Sequence, residues 1–353
     1  MFACANEDPI PPEVIAGAQV IVVEVSQASR ASLDRLVELG RSAPDVPRIA
    51  AIADASVPFV RTLMHEGVAD VVALPFQFEE VLDVAARTIE LARRQTHADV
   101  GLAPVISIIG STGGTGSTSI ATHLAANLCG LVPARSRIAL VDLDLQMGNV
   151  ADYLALPGAG SVSDLLQARE RLDEDLLRSI ERSAQDGLAV FAAPNRIEPI
   201  ESVETDQVLR VLTLMRHHYA GLVLDLPPSW TNWSLSAVSM SDLIIMVVEL
   251  NVNSLRQAKR QIQLFAEVGI APGKIAVLVN RVERRLFKTI DLGDVDETLH
   301  CEVLGTVSLD DQQLSSAQAQ GLLAQQISRK NRFNADLGVV AGELFDRLPF
   351  RRA

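Results

Sequence analysis

The chain has 353 residues, of which 48% are hydrophobic and 21% charged; this composition excludes intrinsic disorder and suffices for two hydrophobic cores. Its formal charge of −13 argues against non-specific contact with nucleic acid or an anionic bilayer, both of which select for lysine and arginine. Cys4, Cys129 and Cys301 are far apart and outside any CxxC spacing, so neither a disulfide framework nor a zinc site is expected.

The first residues carry no basic stretch followed by an apolar core, and no apolar run reaches the ~18 residues of a membrane span, so a cytoplasmic protein is expected. After Pro9, Pro11 and Pro12, residues 19–25 read as a buried strand and 32–39 as a helix stopped by Gly40. Residues 48–53 and 58–65 repeat the plan, and 70–76 give a third strand before a helical stretch over 79–93. Strands alternating with helices imply a parallel sheet covered on both faces. The periodicity lapses over 95–101, which divides the chain into a domain at 1–97, a linker at 98–104 and a second domain at 105–353.

Residues 18–94 resemble the second half of a response-regulator receiver domain. Leu74-Pro75-Phe76 stands where receivers have Lys-Pro-Phe, and Gly67-Val68-Ala69-Asp70 resembles the approach to that strand. Phosphotransfer needs an acidic Mg²⁺ cluster, an Asp acceptor and a lysine for the phosphoryl group. Glu24, Ala53 and Leu74 occupy the acceptor, hydroxyl and lysine positions, so the resemblance implies a degenerate docking or dimerisation domain.

The second domain opens on residues 105–121, where an apolar run breaks into glycines and hydroxyls before helical spacing begins at Ile120, Leu124 and Leu128. This is the strand, loop and helix order of a phosphate-binding loop. Gly113, Gly114 and Gly116 supply the turn. Thr115, Ser117, Thr118 and Ser119 complete the nucleotide-binding candidates, with Thr118 the candidate hydroxyl for Mg²⁺. The two lysines that such a loop ordinarily carries are absent.

Residues 138–144 read as a buried strand ending on Asp142 and Asp144, which strand alternation would place on one face. Residues 163–166 and 172–180 look helical, 188–192 a strand, and 205–218 an amphipathic helix ending on His217-His218, read as a helix end and not a metal site. Strands over 221–225, 242–248 and 274–280, the last two separated by a helix at 254–266, complete an α/β doubly wound, mostly parallel sheet. Its ligand is expected at the carboxyl ends of the strands. There Asp225 opens Asp225-Leu226-Pro227-Pro228-Ser229-Trp230, as expected of a carboxylate holding Mg²⁺ through water with a switch after it, and Asp144 is the candidate for orienting an attacking water.

From about residue 104 to 345 the chain resembles the MinD/ParA group of deviant P-loop ATPases, and within it the CpaE/TadZ proteins of Flp-type (tight adherence) pilus assembly. The matches are Val141-Asp142-Leu143-Asp144-Leu145-Gln146-Met147-Gly148-Asn149, Ser163-Asp164-Leu165-Leu166, Ala193-Pro194, Asp225-Leu226-Pro227-Pro228, Ser254-Leu255-Arg256-Gln257-Ala258-Lys259 and Val279-Asn280-Arg281, closed by Asp310 through Ala317 to Gly321. The resemblance implies that Asn280 reads adenine, that Thr118 and Asp225 serve Mg²⁺, and that Asp144 is the switch I aspartate. It further implies a homodimer around ATP and Mg²⁺, partners in the pilus secretion machinery, and placement at a cell pole or, through partners, at the inner membrane.

Two departures limit that inference. The group's loop reads Lys-Gly-Gly-x-Gly-Lys-Ser/Thr, whereas Thr112 and Ser117 stand at the lysine positions here, and Ser308 replaces a proline before Leu309-Asp310. Loss of one such stabilising group typically costs ~3–4 kcal/mol, or 10²–10³ in rate. The expectation is therefore a nucleotide-responsive localisation or scaffold factor with weak or absent hydrolysis. The alternatives are an active ParA/MinD-like ATPase that positions DNA or another cargo, and a pilus scaffold that binds no nucleotide. The C-terminal pattern Leu337, Val340, Leu344 and Leu348 is amphipathic, but its polar face carries Asp336, Glu343 and Asp346, so it is expected to pack on the core, with membrane contact at most peripheral.

Overall fold

The structure is a computed structural model; it describes residues 18, 20–43, 46–53, 56–75, 81–82, 84–85, 88, 102–134, 136–158, 160–184, 187–283, 291–328 and 331–350. The chain divides into two compact units, Met1–Gly101 and Leu102–Ala353.

In the first unit, β1 (Ile21–Glu24), α1 (Arg30–Ser42), β2 (Arg48–Ile52), α2 (Val57–His65) and β3 (Asp70–Ala73) alternate as the sequence implies. The three strands pair in parallel in the order β1-β2-β3. α1 begins where the Ser29 side chain accepts a hydrogen bond from the Ser32 N–H, a cap that satisfies one of the helix's orphan donors. Val23, Leu36, Ile52, Phe59 and Leu63 form a core on one side of the sheet, while Ile49, Ala51, Val72 and Val84 cluster separately. Most of the helix expected over 79–93 lies outside the described residues.

The second unit is the doubly wound, mostly parallel α/β sheet that the alternation of patterns implies. In chain order it comprises β4 (Val105–Gly110), α3 (Ser117–Cys129), β5 (Ile138–Asp142), α4 (Val150–Tyr153), α5 (Val162–Gln167), α6 (Glu174–Ile180), β6 (Arg182–Ser183) and β7 (Leu188–Phe191). There follow α7 (Thr205–His218), β8 (Gly221–Leu226), α8 (Asn232–Met240), β9 (Leu243–Val248), α9 (Val252–Glu267) and β10 (Ile275–Val282). The last elements are α10 (Leu292–Leu299), β11 (Glu302–Ser308), α11 (Asp311–Ala319), α12 (Ala324–Ile327) and α13 (Arg332–Arg347). The strand order is β11-β10-β9-β4-β8-β5-β7-β6, parallel throughout except for the antiparallel pair β6 and β7. The central strands β4, β5, β7, β8 and β9 are buried along their whole length, which is why they read as unbroken apolar runs.

Crossovers of the βαβ type place helices on both faces of this sheet, and two cores result. Phe191, Leu212, Met215, Trp233, Met246 and Phe265 belong to one. The other joins Ile108, Leu124, Leu140 and Val247 to Phe333, Leu337, Val340 and Leu344 of α13. The C-terminal amphipathic helix therefore spends its apolar stripe on the protein's own core, as expected. The seam between α3 and this C-terminal segment is also polar. His123 Nδ1 donates to the Ser119 carbonyl (2.8 Å), and His123 Nε2 accepts from the Ala324 N–H (3.0 Å). Gln318 donates to Ser119 Oγ (3.2 Å), and Asn127 to Asn334 Oδ1 (2.9 Å). Among the described residues, no helix is long and apolar enough to cross a membrane.

Candidate functional site

The loop between β4 and α3 lies at the carboxyl end of the central strand. Gly114 and Gly116 take the left-handed backbone, with φ of 85° and 84°, and Gly116 is the N-cap of α3. At Gly116 a side chain is excluded twice over, since an added Cβ would also lie 2.6 Å from Asn280 Nδ2. The loop is fastened through its carbonyls. Gln261 of α9 donates to the carbonyls of Gly110 (3.2 Å) and Ser111 (2.9 Å), Asn280 Nδ2 donates to that of Thr115 (2.7 Å), and the Thr115 hydroxyl donates to that of Thr112 (3.0 Å). The Ser111 and Ser254 hydroxyls share a hydrogen bond of 2.7 Å. By contrast, among the described residues no acceptor engages the N–H groups of residues 113–118. With its acceptors tied down and its donors free at a helix N-terminus, the loop is built to receive an anion.

Three carboxylates stand beside it. Asp142, the last residue of β5, and Asp225, the last but one of β8, are register partners on neighbouring strands, 0% and 2% exposed. The Thr118 side chain, in the first turn of α3, stands beside the Asp225 carboxylate. Burial raises the Asp225 carboxyl well above the ordinary carboxylate range, the charge of Asp142 adds to the rise, and the Thr118 hydrogen bond opposes it. Asp142 is pushed up to about 7, chiefly by burial, against hydrogen bonds from the N–H groups of Val150 and Asp144. Two buried carboxylates whose charges oppose one another favour a cation beside them.

The strand that was expected to run through Asp144 stops at Asp142. Its Oδ1 accepts the Asp144 N–H (3.2 Å) and turns the chain, so the two carboxylates do not share a strand face. Asp144 lies in the following turn, where its Oδ1 accepts the N–H groups of Gln146 (3.4 Å) and Met147 (3.0 Å). On the other side of the loop, Asn280 near the end of β10 is 4% exposed, and its Oδ1 is buried without a partner. The structure thus brings Gly113, Gly114, Thr115, Gly116, Ser117, Thr118, Ser119, Asp225 and Asn280 to one end of the sheet, with Asp144 in the adjoining turn.

Asp142 was legible as a strand residue but not as a member of this cluster, because its partner is 83 positions away and pairing across a sheet leaves no local trace. Gln261 likewise gave no signal beyond its place on the helix that follows β9. Among the described residues no group of three or more His, Cys, Asp or Glu is arranged to hold a metal by itself. The orphaned Asn280 oxygen, the free loop donors and the uncompensated Asp142–Asp225 pair fit a purine nucleotide with its cation.

Residues 106–324 match the profile of the CobQ/CobB/MinD/ParA nucleotide binding domain. The septum site-determining protein MinD of Bacillus subtilis is 25% identical over 218 residues, covering 60% of this chain and 78% of that protein. The ParA family ATPase of Chlorobium tepidum TLS superposes with a TM-score of 0.64 at 19% identity, over 69% of this chain and 99% of that one. MinD of Pyrococcus horikoshii OT3, solved in complex with Mg-ADP, gives 0.59 at 18% identity over 69% of this chain and 96% of that one. At these identities the structural likenesses establish the fold.

Proposed function

Because the chain belongs to the CobQ/CobB/MinD/ParA nucleotide-binding domain family, we propose that it is a nucleotide-responsive localisation or scaffold factor that holds ATP and Mg²⁺ and hydrolyses weakly or not at all. One observation carries this reading. The loop keeps its free N–H donors and left-handed glycines, yet Thr112 and Ser117 occupy the positions where cations would neutralise the charge developing in phosphoryl transfer.

In this reading the N–H groups of residues 113–118 and the N-terminus of α3 hold the phosphates, with Ser117 and Ser119 beside them. Thr118 and Asp225 would hold Mg²⁺, which would supply the positive charge that neutralises the phosphates. Asn280 presents its unpartnered Oδ1 to the exocyclic amine of adenine. Asp144, committed through its Oδ1 to its own turn, is the candidate for positioning water. The protein is cytoplasmic and self-associates as a homodimer around the nucleotide, with the first unit supplying docking. Its partners are proteins of a Flp-type pilus secretion machine, a part of the proposal supported by the CpaE/TadZ-like motif series alone.

Calorimetry with Mg-ATP, followed by phosphate release over hours, tests the reading. Saturable binding without turnover is the expected outcome. Turnover at ordinary ATPase rates would replace it with an active ParA/MinD-like motor, and no heat at any concentration would replace it with an inert scaffold.

A further inference from the structure

Arg281 follows Asn280 directly in β10, and its φ of 55° is a left-handed value that costs energy for any residue but glycine. The strand pairing departs from regularity at the same place. Between Val279, opposite Thr306, and Val282, opposite Ser308, β10 spends one residue more than β11. An extra residue of this kind bends its strand and re-aims the side chain beside it. Here that side chain is Asn280, whose Nδ2 meets the Thr115 carbonyl of the phosphate loop at 2.7 Å and stands in the space that a Cβ on Gly116 would take.

A strained backbone persists only where its surroundings hold it. The Arg281 guanidinium supplies the hold: Nη1 donates to Glu249 Oε1 (2.9 Å), and Nε lies 4.0 Å from the Asp311 carboxylate. Glu249 is itself fixed, since its Oε2 accepts from Asn251 Nδ2 (3.2 Å) and its N–H donates to Ser254 Oγ (2.8 Å), the hydroxyl bonded to Ser111 of the phosphate loop. Asp311 opens α11, immediately after residues 308–310. Arg281 thus ties the connection after β9 to the start of α11, the segments that flank the end of β10. We infer that Arg281 is a positioning residue for base recognition: its left-handed backbone aims the Asn280 amide, and its two carboxylate partners hold that backbone in place. The inference rests on the nucleotide reading above and names a determinant of specificity within it.

Substitution separates the backbone from the side chain, because glycine takes the left-handed conformation freely and alanine does not. Arg281 is exposed, so both variants are expected to fold. In competition calorimetry on the full chain, Arg281→Gly should keep the preference for Mg-ATP over Mg-ITP within about twofold of the wild type, whereas Arg281→Ala should lower it about tenfold, as when one hydrogen bond to the base loses its aim. Equal loss in the two variants would assign the effect to the guanidinium alone, and an undiminished preference in Arg281→Ala would show that the bulge does not aim Asn280; either result overturns the inference. A second measurement needs no nucleotide. The Asn280 side-chain amide resonance, observed with isotope-labelled asparagine and assigned by its loss in Asn280→Ala, reports the bond to Thr115. It should keep its wild-type shift and slow solvent exchange in Arg281→Gly and lose both in Arg281→Ala. If the wild type bound no nucleotide, the nucleotide reading would fall and this resonance would decide the positioning role, its persistence in Arg281→Ala overturning it.

Discussion

Asn280 carries two assignments on one amide. Its nitrogen anchors the phosphate loop through the Thr115 carbonyl, and its oxygen has no partner. An acceptor placed for an exocyclic amine discriminates against inosine triphosphate, which carries an oxygen there. Wild-type affinity for Mg-ATP should accordingly exceed that for Mg-ITP by a factor corresponding to about 1–3 kcal/mol, and the gap should close in Asn280→Ala. Competition binding with the two nucleotides checks this. Asp142 and Asp225 set a second test. Both are raised by burial, so between the unfolded carboxylate range near pH 4 and about pH 7 the folded state binds more protons than the unfolded state. Stability without nucleotide should therefore fall as pH rises through that window. Asp225→Asn should flatten the fall, and the same variant should weaken Mg²⁺-dependent nucleotide binding; chemical denaturation at stepped pH and calorimetry read the two effects.

At the scale of elements, the seam between α3 and the C-terminal segment joins the helix that starts at the phosphate loop to α12 and α13. His123 is held neutral in that seam, its pKa lowered to about 4 by burial. A histidine depressed in the folded state contributes stability above pH 6.5 that is lost as pH falls toward 4, worth about 3 kcal/mol at most. His123→Leu should lose the Ala324 hydrogen bond, and with it about 1–3 kcal/mol at pH 7, but should show a shallower acid limb in a urea-melt series.

The same scale shows why some elements were legible and others were not. Residues 205–218 and 254–266 carry apolar residues at helical spacing, and helices stand there as Thr205–His218 and Val252–Glu267. α8 escaped notice because its serines resemble a loop; Ser234 is wholly buried, sharing hydrogen bonds with its Thr231 cap. β11 escaped because it is a partly exposed edge strand whose pairing with β10 shifts register twice, which breaks the alternation by which strands are recognised. The phosphate loop was legible because its chemistry is local. The Asp142–Asp225 contact was not, because it exists only once β5 pairs with β8.

For the whole molecule, the charge of −13 argues against contact with nucleic acid, a point on which the fold is silent. Phosphate contacts need clustered lysines and arginines and give a steep salt dependence. Fluorescence anisotropy with a random duplex should show no binding at about 0.15 M salt, with or without Mg-ATP. The edges of the large sheet have a consequence of a different kind. One edge ends in β6, two residues long and antiparallel, where the Arg182 guanidinium caps the carbonyls of Leu156 and Gly160. At the other, β11 presents Glu302 paired with Arg347 (2.7 Å) and gives its Ser308 N–H to Asp336 of α13. A short strand at one margin and charge at the other are the devices by which sheets resist lateral templating. Copies of this protein at high local concentration are thereby protected from zipping into a continuous ribbon, and crowding at one place in a cell need not become aggregation.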